Sequence, residues 1–526
     1  MSTEKQLAYF FLSFPEIFFL FKVSLSFPGY PVHVEREKPF RPKQKETPFG
    51  HWKKEAIPMK HMQKILSLSL AAMLALSAPL ALAESSSAQT NAEQTTQAPP
   101  DLPSGRMPGG PGGPGNGQQP PEKPDGDFGG PGGPGNAFGG PGMGGSSAPS
   151  EYQAAYTLTK SADGQTYEST QGDENAVLVQ EGSVTISNAT VNKTGSSDGE
   201  SADFYGINAA ILATGGTLTV KDTTVTTDGA HANGIFSCGS GTTVNVSDTV
   251  ITTAGNNSGG LMTTGGAALN AVNVTVSTAG NSSAAIRSDR GGGTVTVTGG
   301  TYETTGRGSP AIYSTADITV SDAALSAADS EAVVIEGGNS ITLNNVTISG
   351  NDAHLNGQSS VKTNALIYQS MSGDAKDGNS SFTMNGGSMT ALTGDMLHVT
   401  NVTTAITLSQ VDFTYAEDSR VFLSASADAW GNSGKNGGHV TLTLVDQAIE
   451  GDLTADQDSS LNVILSAGSS LLGAVNPGNA SQDVSLTLDA ASAWTLTADS
   501  YLTAFSGDMS QVNLNGYTLY VNGEAQ

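Results

Sequence analysis

From about residue 173 onward, one short rule recurs along the chain: an apolar residue, a polar one, a second apolar one, and a third apolar residue seven positions after the first. The first and last members are Val184/Val191, Leu218/Val225, Val244/Ile251, Leu269/Val276, Val295/Tyr302, Ile318/Leu325, Ile341/Ile348, Phe382/Met389 and Ile406/Phe413. Alternation at period two predicts half-buried strands, since a helix would repeat its apolar positions every three to four residues. Four residues after each first position stand Asn188, Asp222, Asp248, Asn273, Gly299, Asp322, Asn345, Gly386 and Gln410. All but Gln410 are residue types that tolerate left-handed backbone or cap a bend with their own side chains. The predicted unit is a strand, a sharp bend and a second strand. A further apolar pair, such as Ala176-Val177, Ala285-Ile286 or Ala311-Ile312, precedes most units by six to nine residues and predicts a third strand.

Successive units begin 34, 26, 25, 26, 23, 23, 41 and 24 residues apart. Three short strands and three turns per period, with long excursions in two places, is what one coil of a parallel β-helix requires. The predicted fold class is therefore all-β, a right-handed parallel β-helix, with coils over 173–483, an N-terminal cap region over 151–172, and terminal coils and a cap over 484–526. A single coil exposes both of its edges, so stability must come from stacking. Four or five inward apolar residues per coil, at roughly 1.5–3 kcal/mol each, give burial of order 10 kcal/mol per coil before chain entropy is charged. An antiparallel sandwich also uses alternating strands and Gly/Asn turns, but it needs no fixed seven-residue rule.

Upstream, the pattern changes twice. Residues 84–150 lack apolar periodicity and are dominated by Gly, Pro, Ser and Gln, with Gly109-Gly110-Pro111-Gly112-Gly113-Pro114-Gly115 nearly recurring at 129–135. Such a stretch cannot bury enough surface to offset its ordering entropy, so it reads as a disordered spacer; Gly does not hold every third position long enough for collagen. Met59-Lys60-His61-Met62-Gln63-Lys64, the apolar run Ile65–Leu82 and the closing Ala81-Leu82-Ala83 have the build of a secretory signal peptide over 59–83. A complete signal starting this late suggests that residues 1–58 are a mis-assigned upstream extension and that the mature chain begins at Glu84. No lipobox cysteine, Leu-Pro-x-Thr-Gly motif or terminal run of barrel strands follows, so the expected localisation is secreted or cell-surface, with no transmembrane span in the mature chain and no covalent anchor.

Charge narrows the partners. After Ala83 the chain keeps 12 of its 23 basic and 43 of its 49 acidic residues, a net charge of −31. That balance argues against nucleic acid and anionic lipid, whose affinity comes from Lys and Arg, and favours cations or basic or neutral surfaces. Cys238 is the one cysteine, so no intramolecular disulfide forms, and a small buried thiol is its expected state.

Motifs such as Thr294-Val295-Thr296-Val297-Thr298-Gly299-Gly300-Thr301-Tyr302 resemble those of the pectate-lyase-like β-helix superfamily in its non-enzymatic, adhesin-like branch, over roughly residues 173–523. Ala493–Ser500 and Val512–Leu519 resemble terminal coils of autotransporter passenger domains, without the barrel those proteins carry. A looser likeness is to cellulose- and pectin-binding β-helices. The resemblance implies a secreted, noncatalytic protein that binds a polysaccharide or a cell surface. A polysaccharide lyase or hydrolase on the same fold and a structural surface-layer component are the alternatives.

Alternation also locates candidate chemistry. If Val177, Ile211, Ile235, Leu261, Ile286, Ile312, Val333, Leu366 and Leu397 face inward, then Leu178, Leu212, Phe236, Met262, Arg287, Tyr313, Val334, Ile367 and His398 form an outward column. So apolar a stripe is expected to be a contact surface, to lie beneath the insertions at 193–206 and 349–364, or to be inverted in phase in some coils. As a groove it would use Phe236, Met262, Tyr313 and His398, with Arg287, Asp289 and Arg290 as its polar cluster and Phe236 and Tyr313 stacking on sugar rings. Neither the arginine base with calcium carboxylates of a lyase nor the clustered aspartates of a hydrolase is assembled around Asp289. Asp198, Glu200 and Asp203, and again Asp374, Asp377 and Asn379, crowd oxygen ligands as a Ca²⁺ site would, but neither set matches a known loop signature and solvated turns are the better reading.

Overall fold

A computed structural model describes residues 148–526 apart from 356–358 and 371, together with the backbone of Gln6–Phe14, Ile17–Leu25 and His33–Arg36. Those three early strands form a separate antiparallel sheet. The proposed signal segment 59–83 and nearly all of the spacer lie outside the described residues.

The rest is a parallel β-helix. Its first strands, from Ala154–Thr157 through Asn175–Val179, Ile211–Ala213 and onward to Asp452–Ala455, stack into one 12-stranded sheet. The second and third strands of the coils share a 20-stranded sheet, continued at the C-terminal end by smaller ones. Every pairing in this stack is parallel until the closing hairpin of Leu519–Val521 with Glu524–Ala525, which rules out the sandwich. Residues 154–169 already supply all three strands of a coil.

The seven-residue rule has a plain physical cause. In each unit two inward residues of the second strand and one of the third reach the same interior, with the bend residue between them in left-handed backbone: φ is +50° at Asn188, +48° at Asp248, +51° at Asn345 and +54° at Gln410. Asp446 holds the same conformation between Leu442 and Ile449, so the rule extends one unit past the nine seen in the sequence, while Ala467 keeps the bend with Leu471 eight positions after Val463. The bend column ties itself together, Asn273 Nδ2 donating to Asp248 Oδ1 at 2.8 Å and Asn345 Nδ2 to Asp322 Oδ1 at 2.7 Å. Inside, aliphatic ladders such as Leu218, Val244, Leu269, Val295 and Ile318 are almost wholly buried. Another corner stacks glycines: a Cβ on Gly280 would sit 1.8 Å from the Gly255 carbonyl oxygen of the coil below, so no other residue fits.

Two details depart from expectation. In the strand Thr363–Tyr368, Ala365 pairs with Val333 and Leu397, so Ile367 lies inward and Leu366 joins the outward column, one residue out of the predicted phase. The insertion before this strand shifts where pairing begins, and a one-residue shift exchanges the faces. In the strand Val421–Ala425 the register slips between Val421 and Leu423, a bulge that turns the buried Phe422 into the core.

Candidate functional site

The outward column of the first sheet runs in register through Leu178, Leu212, Phe236, Met262, Arg287, Tyr313, Val334, Leu366 and His398. None of it is open to solvent. Phe236, Met262 and His398 are 0% exposed, Tyr313 1% and Arg287 3%, because three segments lie across the column as a roof.

The first segment comes from the insertion at 193–206, as anticipated. Its helix Glu200–Tyr205 ends on Gly206 at φ +73°, where a Cβ would strike Leu212 and Phe236 at under 3 Å. Beneath it Leu178, Leu212, Phe236, Met262 and Cys238 form an apolar cluster apart from the main core, with Tyr152 and Tyr205 packed against them. Thr264 Oγ1 donates to the Phe204 carbonyl at 2.8 Å and holds the helix down.

The second segment is 369–379, which follows the strand Thr363–Tyr368. Arg290 joins it to the helix: its guanidinium lies 3.9 Å from the Phe204 ring centre and 2.8 Å from Asp374 Oδ1. Below, the buried Glu336 carboxylate accepts hydrogen bonds from the hydroxyls of Tyr313, Tyr368 and Ser370. The third segment, 426–437, lays Trp430 on Tyr368 with ring centres 4.6 Å apart, completing a second apolar cluster with Tyr313, Val334 and Leu366. His398 fastens it, Nδ1 lying 2.9 Å from Ser424 Oγ and Nε2 3.6 Å from Asp428 Oδ2. The second insertion, expected as cover over 349–364, contributes Ser359 and Ser360, which donate to that same Asp428.

Charges under the roof are paired. Arg287 Nη2 meets Asp289 Oδ2 at 2.8 Å, while Asp203 contacts Arg287 at 3.8 Å and His231 Nδ1 at 3.1 Å. Burial raises the Asp289 carboxyl to about 7 although Arg287 opposes it, and burial likewise raises Glu336. Burial would raise Asp428 too, but the neighbouring His398 ring and the hydrogen bonds from Ser360 outweigh it and hold that carboxyl at about 2.

Of the residues proposed for a groove, then, Phe236, Met262, Arg287, Asp289, Arg290, Tyr313 and His398 are brought together, but as the underside of the roof. The aromatic rings present no face to solvent in this arrangement. The two acidic sets do not converge on a cation: Asp203 and Asp374 turn to arginines, while Asp198, Glu200 and Asp377 point into solvent. Among the described residues no group of three or more His, Cys, Asp or Glu is placed to hold a metal ion.

The naked face lies elsewhere. On the second strands the outward central position is Thr185, Thr219, Asn245, Asn270, Thr296, Thr319, Thr342, Thr383, Thr407 and Thr443, coil after coil in register. The flanking outward columns are also small and polar in the main, and Asp163, Lys221 and Asp317 are charges among them. Sideways hydrogen bonds, Asn270 to Asn245 at 3.0 Å and Asn385 to Asn344 at 3.0 Å, tie together the amides on this side. The sequence pattern shows these polar positions as the gaps of the apolar alternation, but attention to apolar residues passed over them.

Fold and faces together define a parallel β-helical solenoid with one roofed and one open side. No family model, curated protein or solved structure matches the chain. No helix among the described residues is long and apolar enough to cross a membrane.

Proposed function

We propose that the protein is a noncatalytic, secreted or surface-held β-helix that binds a polysaccharide or cell surface through its open Thr/Asn face. The observation that carries this reading is the face itself: ten coils of Thr or Asn in one column, uncharged in a chain of strongly negative net charge, with its polar groups presented about 4.8 Å apart. Short hydroxyl and amide side chains on a sheet suit an extended, hydroxyl-rich polymer, because such side chains have little rotamer entropy to lose on contact. The export-signal pattern and the Gly/Pro spacer fit a shaft carried outside the cell and held away from its exit point. The arginine cluster under the roof serves stability in this reading, since Arg287 would have to leave two buried carboxylates to meet a substrate.

Retention of the chain from residue 84 on insoluble neutral glycans tests it. Wild type is expected to be depleted from solution without releasing soluble sugar, and Thr319→Glu/Thr342→Glu to remain free with unchanged melting temperature. Equal retention of the variant, or release of product, overturns the reading.

A further inference from the structure

The stack is interrupted at one place, and the interruption makes a concavity. The third strand Asp412–Thr414 belongs to the 20-stranded sheet, whereas its successor Ala448–Glu450 starts a separate four-stranded sheet, so the two are not paired. Side chains replace the missing backbone bonds. Gln447 receives a hydrogen bond from Val411 N at 2.6 Å and returns one to the Val411 carbonyl at 2.9 Å, and Glu450 N donates to the Tyr415 hydroxyl at 2.9 Å. The cause lies in the bulge: Phe422, the extra residue of its strand, enters the core against Phe413, ring centres 5.1 Å apart, and beside Tyr415 at 6.3 Å. The three rings wedge the coils apart, and a groove of about 650 Å³ opens at the corner between third and first strands.

We propose that this groove is a binding site for a short uncharged oligosaccharide. Its size falls in the range of small-ligand sites, roughly 300–1,000 Å³. Val421 and the 41%-exposed Leu472 give it apolar wall for the C–H faces of sugar rings. Glu417 and Glu450 offer acceptors and Arg420 a donor, and among the described residues none of these three side chains is engaged in an ion pair or side-chain hydrogen bond. A hydroxyl both donates and accepts, so a neutral sugar satisfies both kinds of group. Asp452 adds a third carboxylate to the single arginine, a balance that repels an anionic uronate chain. The groove is separate from the flat face, and the proposal stands whether or not that face binds polymer.

Calorimetric titration of the chain from residue 84 with soluble cellohexaose, chitohexaose and hexagalacturonate tests it. A neutral hexamer is expected to bind, and to lose at least tenfold in affinity in Leu472→Arg, which fills the groove from an exposed rim position, and in Arg420→Ala. Unchanged melting temperatures in the two groove variants keep the comparison valid; should Leu472→Arg lower it, Arg420→Ala, whose side chain is exposed, decides alone. Binding of none of the hexamers, tighter binding of hexagalacturonate, or neutral binding that Arg420→Ala leaves intact overturns the proposal.

Discussion

Two outward faces of the same coils have been given opposite treatment. Outside the first sheet the column is aromatic, aliphatic and charged, and three separate segments of chain are spent covering it. Outside the second strands the column is Thr and Asn, and nothing described covers it. The contrast follows from what each residue type needs. Phe236 or Val334 gains by leaving water and, once buried, Arg287 and Glu336 must have partners there. Thr and Asn are content half-wet on a pleated surface and bond sideways to their own kind.

The contrast predicts a gradient of mutational cost. Arg287→Met should have the largest effect, about 3–5 kcal/mol of destabilisation, because it strands the Asp289 and Asp203 carboxylates beneath the roof; denaturant unfolding checks this, and a loss below 1 kcal/mol would mean that the roof is open in solution. Phe236→Ala should be comparable at about 3–5 kcal/mol, from the lost burial and the cavity left under the helix. On the open face Thr296→Val should stay within about 0.5 kcal/mol by the same measurement.

Acidity sharpens the same comparison. Asp289 is raised to about 7 and Glu336 is also raised, against roughly 4 for unfolded carboxylates. Between these values the unfolded chain binds fewer protons than the folded one, so stability falls as pH rises through the window from about 4 to 7. Asp428, held at about 2, acts in the opposite sense: its contribution is complete above about pH 4 and is lost as pH falls through 2. The melting temperature should therefore be higher at pH 5 than at pH 8 and fall again in strong acid. Asp289→Asn should flatten the rise from pH 8 to pH 5; an undiminished rise would assign it to other groups.

How much of this could be read beforehand depends on distance along the chain. The coils were readable because inward residues, bend residues and strand spacing repeat within 30 residues, and the left-handed φ at Asn188, Asp248 and Asn345 meets the expectation built on their chemistry. That the outward column is too apolar for ordinary surface was also readable. Its cover was only half so, since Thr264 reaches back 60 residues to Phe204 and Arg290 reaches forward 84 to Asp374, through segments with no periodicity of their own. The groove was not readable at all: it follows from one extra residue, Phe422, that no pattern marks as a bulge.

Thiol reactivity puts both faces into one measurement. Cys238 is 7% exposed under the roof and burial raises its thiol, whereas Thr319→Cys would place a thiol on the open column. With the Thr319→Cys chain free in solution, maleimide should modify position 319 within minutes and leave Cys238 unmodified until the protein is unfolded; with the chain retained on an insoluble neutral glycan, position 319 should become protected as well. Rapid modification of native Cys238, or undiminished modification of position 319 on the glycan, would contradict the assignment of one face to stability and the other to contact.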